Sequence, residues 1–288
     1  MKYFDMHCDT LSRCYDNKKS IYENDLMIDL KRLNQFEKSV QFFAAYINTF
    51  NFTGEKAYER FCQQYEVFKT INDYNCENVT AVLTIESLSC LNNDIDRLTH
   101  FKDCGVKVAS LNWNGYNGIA GGIGSDEGIS DFGRAVIKKM EELDIVIDVS
   151  HLNDKSFYQL CDIATKPFIA THSNTRSYCN EPRNLTDEQL KILFESGGIV
   201  GLNFYTQFLG ERKPLYDDLM YHIDNMYKCG GEGKVSLGSD FDGCDTDERF
   251  SDVSKLPAFY DYLSQKISEK DANGIFYNNA MNFFEEKF

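Results

Sequence analysis

The sequence predicts an α/β chain wound into a (β/α)8 barrel of the TIM type, with an extra C-terminal helix. Three observations predict it. Eight short apolar runs alternate with helix-like segments along the chain, the pattern of strands and covering helices. Several runs end in a histidine or a carboxylate, and strand C-termini are where such a barrel builds its site. The turn after the first run, His7-Cys8-Asp9-Thr10, has no glycine, whereas an open doubly wound sheet usually carries a glycine-rich turn there.

The runs fall at 3–7, 40–47, 79–85, 106–112, 145–150, 167–171, 198–204 and 234–239. Most are near-continuous in Val, Ile, Leu and Phe, as expected of parallel strands packed on both faces. Helices are predicted at 54–73, 92–104, 131–143, 154–164, 214–229 and 251–269. The segment 131–143 places Phe132, Val136, Met140 and Leu143 on one stripe behind Ser130 as N-cap. Thr186-Asp187-Glu188-Gln189 reads as a capping box, and 271–285 as the extra helix. The glycine-rich stretch 115–128 lacks the G-x-G-x-x-G spacing and follows the fourth run, so it is expected to be a mobile active-site loop and not a phosphate cradle. No linker or low-complexity tract interrupts the chain, and one catalytic domain over 1–288 is the economical reading.

With 288 residues, 42% hydrophobic and 26% charged, the composition is that of an ordinary globular protein. A net charge of −15 argues against a nucleic-acid partner, which requires clustered Lys and Arg. No apolar run approaches the ~18 residues of a membrane span. The N-terminus enters a strand without the apolar core of a signal peptide. A cytoplasmic protein with no membrane partner is expected. The ten cysteines include no C-x-x-C pair, which excludes the common zinc-finger and thioredoxin patterns. They are expected to be free thiols, with Cys8 packing on the side opposite His7 and Asp9.

Among only five histidines, three end predicted strands: His7, His151 and His172. His7 and Asp9 lie two apart on an extended segment, so both face one way and can grip one ion. By the same alternation Asp5 is expected to point the same way from deeper inside. Glu86 ends the third strand, and its two oxygens can bridge two ions. His151 and His172 end the fifth and sixth, with Asp148, Ser150, Thr171 and Ser173 as nearby acceptors for their second ring nitrogens. Asp240 ends the eighth and is placed to move a proton between an activated water and a leaving amine. Asp242 better suits a turn before Gly243. Arg183 follows the sixth strand, where a guanidinium can hold a carboxylate with two hydrogen bonds. His100 and His222 fall inside helices and read as exposed or packing residues. Convergence of imidazoles and carboxylates at strand ends points to metal-dependent hydrolysis.

Five ordered motifs, Asp5-Met6-His7-Cys8-Asp9-Thr10, Ile147-Asp148-Val149-Ser150-His151, Thr171-His172-Ser173-Asn174 through Pro182-Arg183-Asn184, Gly201-Leu202-Asn203-Phe204-Tyr205 and Gly238-Ser239-Asp240-Phe241-Asp242-Gly243, resemble the membrane (renal) dipeptidase family and its soluble bacterial members nearly end to end. The resemblance implies a barrel holding two Zn2+ that hydrolyses dipeptides by attack of a hydroxide held between the ions. By resemblance, His7 and Asp9 hold one ion, His151 and His172 the other, and Glu86 bridges them. Asp240 matches the catalytic aspartate, Arg183 the substrate-binding arginine and Tyr205 the substrate-binding tyrosine. Family members are often homodimers, which makes a second copy of the chain a candidate partner. One departure stands out: many members carry a substrate-contacting histidine after the fourth strand, where Ser110-Leu111-Asn112-Trp113-Asn114 places the only tryptophan. Either Trp113 or Asn112 substitutes for it, or turnover is altered. Two alternatives follow: a metal-dependent amidohydrolase acting on another amide, a lactam or a phosphoester, or a metal-binding protein that has lost turnover. His7-x-Asp9 argues against barrel phosphoesterases, which commonly show His-x-His at the first strand.

Overall fold

Seven parallel strands form one curled sheet: β1 (Lys2–Cys8), β2 (Lys38–Tyr46), β3 (Val79–Glu86), β4 (Val108–Ser110), β5 (Val146–Asp148), β6 (Val200–Leu202) and β7 (Val235–Leu237). Their order across the sheet is β5-β4-β3-β2-β1-β7-β6. The computed structural model describes residues 1–210 and 215–285. The two sheet edges are both bridged to the run expected as the sixth strand: Ile169 pairs in parallel with Asp148, and Ala170 with Val200. The Val149 N–H donates to Ile169 O at 2.8 Å, and the Gly201 N–H to Ala170 O at 2.8 Å. The predicted strand at 167–171 is therefore reduced to a two-residue bridge that joins β5 to β6, because the chain turns away at once into the site residues Thr171 and His172. The fold is the α/β, TIM-barrel-like one that the alternation predicts.

Two apolar layers hold it together. Side chains alternate along each strand, so Leu83 and Ile85 pack outward under the helices while Val82 faces inward. The inner cluster, Phe4, Met6, Val40, Phe42, Val82, Val108, Val146, Ile169 and Ile199 with Phe284, fills the N-terminal half of the barrel. The extra helix plugs that end. It runs through Glu269–Asn273, a π-helical turn Gly274–Asn278 and Asn279–Phe284, starting from the Ser268 cap. Phe284 stacks on Phe4 at 5.9 Å and meets Phe42 edge-on at 5.0 Å.

The helix signals hold. Ser130 caps Asp131–Glu142 by accepting from the Gly133 N–H, and Thr186 and Gln189 form the reciprocal capping box of Asp187–Glu195. The helix expected from 54 occupies Glu55–Lys69, that expected from 92 only Arg97–Asp103, and that expected from 154 Asp154–Cys161. The helix predicted over 251–269 is broken into a 3-10 turn Val253–Lys255 and the helix Leu256–Lys266. Of the helix predicted over 214–229, Leu215–Lys228 is observed and Pro214 lies outside the described residues. All ten cysteines are free, and Cys8 packs in the outer layer as expected. Among the described residues no helix is long and apolar enough to cross a membrane.

Candidate metal centre

β1 reaches the site through an irregularity. Phe4 and Met6 face the inner cluster, Tyr3 and Cys8 the outer one. Strict alternation would put Asp5 and His7 outward, but the register slips by one between Asp5 and Cys8 against β2. A β-bulge of this kind re-aims a side chain, and here it turns His7 and Asp9 to the barrel mouth. Asp5 is thereby separated from them, contrary to the expectation that it shares their direction. It accepts from the Ser239 N–H at 2.8 Å, Ser239 Oγ at 2.6 Å, Tyr3 Oη at 2.8 Å and Gln41 Nε2 at 3.2 Å. It is a buried strap between β1, β2 and the end of β7. Glu86 needs no bulge, since it continues the inward phase of Val82 and Thr84.

Six predicted residues meet at the mouth. Their ligating atoms form three groups, each drawn within 4.8 Å: His7, Asp9 and Glu86; Glu86, His151 and His172; and His7, His172 and Asp240. His7 Nε2 lies 3.4 Å from Asp9 Oδ2 and 3.5 Å from Glu86 Oε2. Glu86 Oε1 lies 2.7 Å from His151 Nε2 and 3.6 Å from His172 Nε2. The His7 and His172 rings stack at 3.8 Å. Burial pushes the Glu86 carboxyl up to about 7 and that of Asp240 to about 6. Burial also penalises the His7 imidazolium, but the Glu86 and Asp9 carboxylates outweigh it and raise its pKa well above the ordinary value. His151 and His172 are driven well below it, first by burial and then by the Arg183 and His7 charges.

The donor set fits metal ions. Thr171 Oγ1 donates to Asp148 Oδ2 at 2.6 Å, so it accepts from His172 Nδ1–H at 2.8 Å. His151 Nδ1 faces Asn114 Oδ1 at 3.2 Å, an acceptor only. Both partners fix the tautomer with a bare lone pair on Nε2, the arrangement of metal-ligating histidines. The two Nε2 atoms stand 3.0 Å apart and face the Glu86 carboxyl, a crowding of lone pairs that a proton or a metal cation between them relieves. His7 Nε2 and Asp9 Oδ1 are buried with no hydrogen-bond partner among the described residues.

Of the acceptors expected beside the histidines, Thr171 and Asp148 act on the His172 ring. Ser150 Oγ instead accepts from the His172 main-chain N–H at 3.2 Å, and Ser173 Oγ accepts from Arg183. Asn114 and Asn203 were missed: Asn203 Nδ2 donates to Asp240 Oδ2 at 3.0 Å while its Oδ1 takes the Tyr205 N–H. Both lie inside motifs already singled out, but nothing in a single sequence marks an asparagine as the partner of a distant side chain.

A cavity of about 550 Å³ opens above the centre, lined among others by Asp9, Glu86, His151, Asp240, Trp113, Tyr46 and Tyr205. Trp113, not Asn112, faces it; Asn112 is buried and spends its amide on Gly115 O and Ala120 O. Arg183 lies behind the cavity wall, its Nη atoms donating to Ser173 Oγ and His172 O at 3.1 Å and its Cζ 5.9 Å from the Phe208 ring. The stretch 115–128, expected as a mobile loop, is tied down at Asn114↔Ile123, Tyr116↔Gly121 and Gly122↔Leu152. His222 is buried as a packing residue, and His100 is exposed.

Fold and site together define the class, a β/α barrel of the metal-dependent hydrolase type. The family model "Membrane dipeptidase (Peptidase family M19)" matches residues 1–287, and the chain belongs to that family. A metallo peptidase from Rhodobacter sphaeroides, solved with a phosphinate mimic of the dipeptide L-Ala-D-Ala, superposes with a TM-score of 0.86 at 25% identity over 100% of this chain and 99% of its own. The dipeptidase AC, a metallo peptidase of family M19, gives a TM-score of 0.88 at 26% identity over 99% and 98%. An uncharacterized Klebsiella pneumoniae protein from the pqqA 5′ region is 40% identical over 180 residues, 58% of this chain and 66% of its own length. An uncharacterized dipeptidase of Schizosaccharomyces pombe is 29% identical over 202 residues, 67% of this chain and 49% of its own. The matched part of the chain thus spans from half to two thirds of the length of these curated relatives.

Proposed function

We propose that the protein is a dipeptidase whose centre takes two zinc ions. The carrying observation is the position of Glu86, which shares one oxygen with the His7 and Asp9 side and the other with the His151 and His172 side. His7 and Asp9 would hold one ion, His151 and His172 the other, and Glu86 both. Such ions supply Lewis-acid polarisation of the amide carbonyl and an activated water at neutral pH; the same ligands also accept Mn, Co or Fe. Asp240, steadied by Asn203 and raised to about 6, is poised to take a proton and pass it to the leaving amine. Arg183 keeps a buried Nε without a hydrogen-bond partner among the described residues while its Nη atoms hold Ser173 Oγ and His172 O, so this guanidinium can turn to meet the C-terminal carboxylate of a substrate once Phe208 turns aside. Tyr205 lines the same wall. A required free carboxylate places the scissile bond next to the C-terminal residue, and the L-Ala-D-Ala mimic held by the Rhodobacter sphaeroides relative makes L,D-dipeptides candidates beside L,L ones. One catalytic domain over 1–288, a cytoplasmic location and a homodimer belong to the same reading.

The test is metal content together with hydrolysis of an L,L- and L,D-dipeptide panel, before and after chelation. About two zinc ions per chain with chelator-sensitive cleavage supports the reading. Bound metal without cleavage points to another amide, lactam or phosphoester, or to lost turnover. Asp240→Asn should keep its zinc and lose ~10²–10⁴-fold in kcat; undiminished hydrolysis would remove Asp240 from that role.

A further inference from the structure

The cavity has an aromatic corner that the proton chemistry leaves unused. Trp113 meets Tyr46 edge-on at 5.3 Å and Phe50 at 5.8 Å, and its ring centroid lies 6.1 Å from that of His151. The corner is built, not incidental. Thr49 Oγ1 donates to Asn114 O at 2.8 Å, tying the segment after β2 to the one after β4. Gly115, at φ 72, leaves Phe50 room to lie on the backbone; a Cβ there would stand 2.9 Å from the Phe50 ring. Phe52 extends the apolar wall within the cavity. Much of the remaining lining is charged, with Asp9, Asp16, Glu86, Asp240, Asp242, Asp245, Arg13 and Arg60, and the other aromatic pair, Tyr205 and Phe208, lies on the Arg183 side, so this corner is the apolar lining away from Arg183.

Ring order decides which group arrives there. Arg183 and Tyr205 follow the bridge segment and β6, whereas Tyr46 ends β2, opposite the bridge segment, and Trp113 follows β4, beyond β5. A dipeptide with its carboxylate on the Arg183 side and its amide over Glu86 sends its N-terminal half toward the corner. We propose that Tyr46 and Trp113, with Phe50 buttressing Trp113 from outside the cavity lining, form the subsite for the side chain of the substrate's N-terminal residue, selecting a large apolar or aromatic one. The inference rests on the dipeptidase reading and adds the substrate class to it. Shape selection in an apolar pocket discriminates by roughly 10–200-fold for each methylene-sized difference.

The experiment compares kcat/KM of the zinc-loaded enzyme on Xaa-Ala and Ala-Xaa dipeptides, with Xaa as Gly, Ala, Leu and Phe. Emission of Trp113, the only tryptophan, is followed in Asp240→Asn titrated with Phe-Ala and with Gly-Ala. The expected result is a rise of at least about 10-fold from Gly-Ala to Phe-Ala, a flat Ala-Xaa series, and an emission change at lower concentrations of Phe-Ala than of Gly-Ala. Trp113→Ala should collapse the Phe-Ala to Gly-Ala ratio. Phe50→Ala, at an exposed position, should lower it too and serves if Trp113→Ala does not fold. A ratio untouched by either variant, or selectivity confined to the C-terminal residue, would overturn the subsite. No cleavage of any dipeptide, with emission still responding to Phe-Ala over Gly-Ala, would sink the dipeptidase reading and leave the subsite standing; no cleavage and no response would sink both.

Discussion

His172 and His151 are each oriented by a neighbouring side chain, Thr171 and Asn114, and these partners set the chemistry. His172 presents a bare Nε2 because Asp148 fixes Thr171 and Thr171 fixes Nδ1–H. Removing such a partner typically weakens metal affinity about 10–100-fold. Thr171→Val, which keeps the shape and deletes the hydroxyl, should do so, measured by competition against a chromophoric chelator; unchanged affinity would mean that packing alone orients the ring. His151 and Asp240 also pay a backbone penalty, at φ 72 and φ 62 in the left-handed region. Gly243 is obligatory for a different reason: a Cβ there would overlap Asp9 Oδ2 and Asp240 Oδ1.

At the scale of elements, two devices place the site. The bulge in β1 turns His7 and Asp9 inward, and the shortened sixth strand releases the chain into Thr171 and His172 immediately after its bridge. The C-terminal helix works at the other end. It is anchored to β7 by Asn279 Nδ2 on Val235 O at 2.8 Å and by Ser236 Oγ on Ile275 O at 3.1 Å, and it supplies the ring that closes the interior. Truncating a fully buried Phe typically costs about 3–5 kcal/mol. Phe284→Ala should lose that much in a denaturant titration, and a loss below about 1 kcal/mol would show that the plug adds little to the core.

The whole molecule is marked by buried titratable groups, and one of them sits away from the centre. His222 donates Nε2–H to Leu209 O at 3.0 Å and accepts the Thr175 N–H at Nδ1 at 3.2 Å. A proton on Nδ1 would face that N–H. Burial lowers its pKa from 6.5 to about 4. Between those values the unfolded chain binds more protons, so stability rises with pH across the window and is lost on acidification. A shift of this size corresponds to about 3 kcal/mol. His222→Gln should show an acid-side decline shallower by that amount, read from unfolding free energies at pH 7 and pH 4; parallel curves would remove His222 from the acid response.

The sequence by itself determined the barrel class, because strand and helix periods, caps and apolar runs are local properties written in consecutive residues. It also marked His7, Asp9, Glu86, His151, His172 and Asp240, because residues at the C-terminal ends of parallel strands share one rim. It placed Asp5 wrongly, since a register slip depends on how β1 pairs with β2, and it treated 115–128 as free, since its bridges reach to Leu152. Only the tertiary structure decided that Asn114 and Asn203 orient the centre, that Arg183 lies behind Phe208 and that Trp113 meets Tyr46 and Phe50. These are contacts between residues far apart in the chain, and their existence depends on packing that no local pattern encodes.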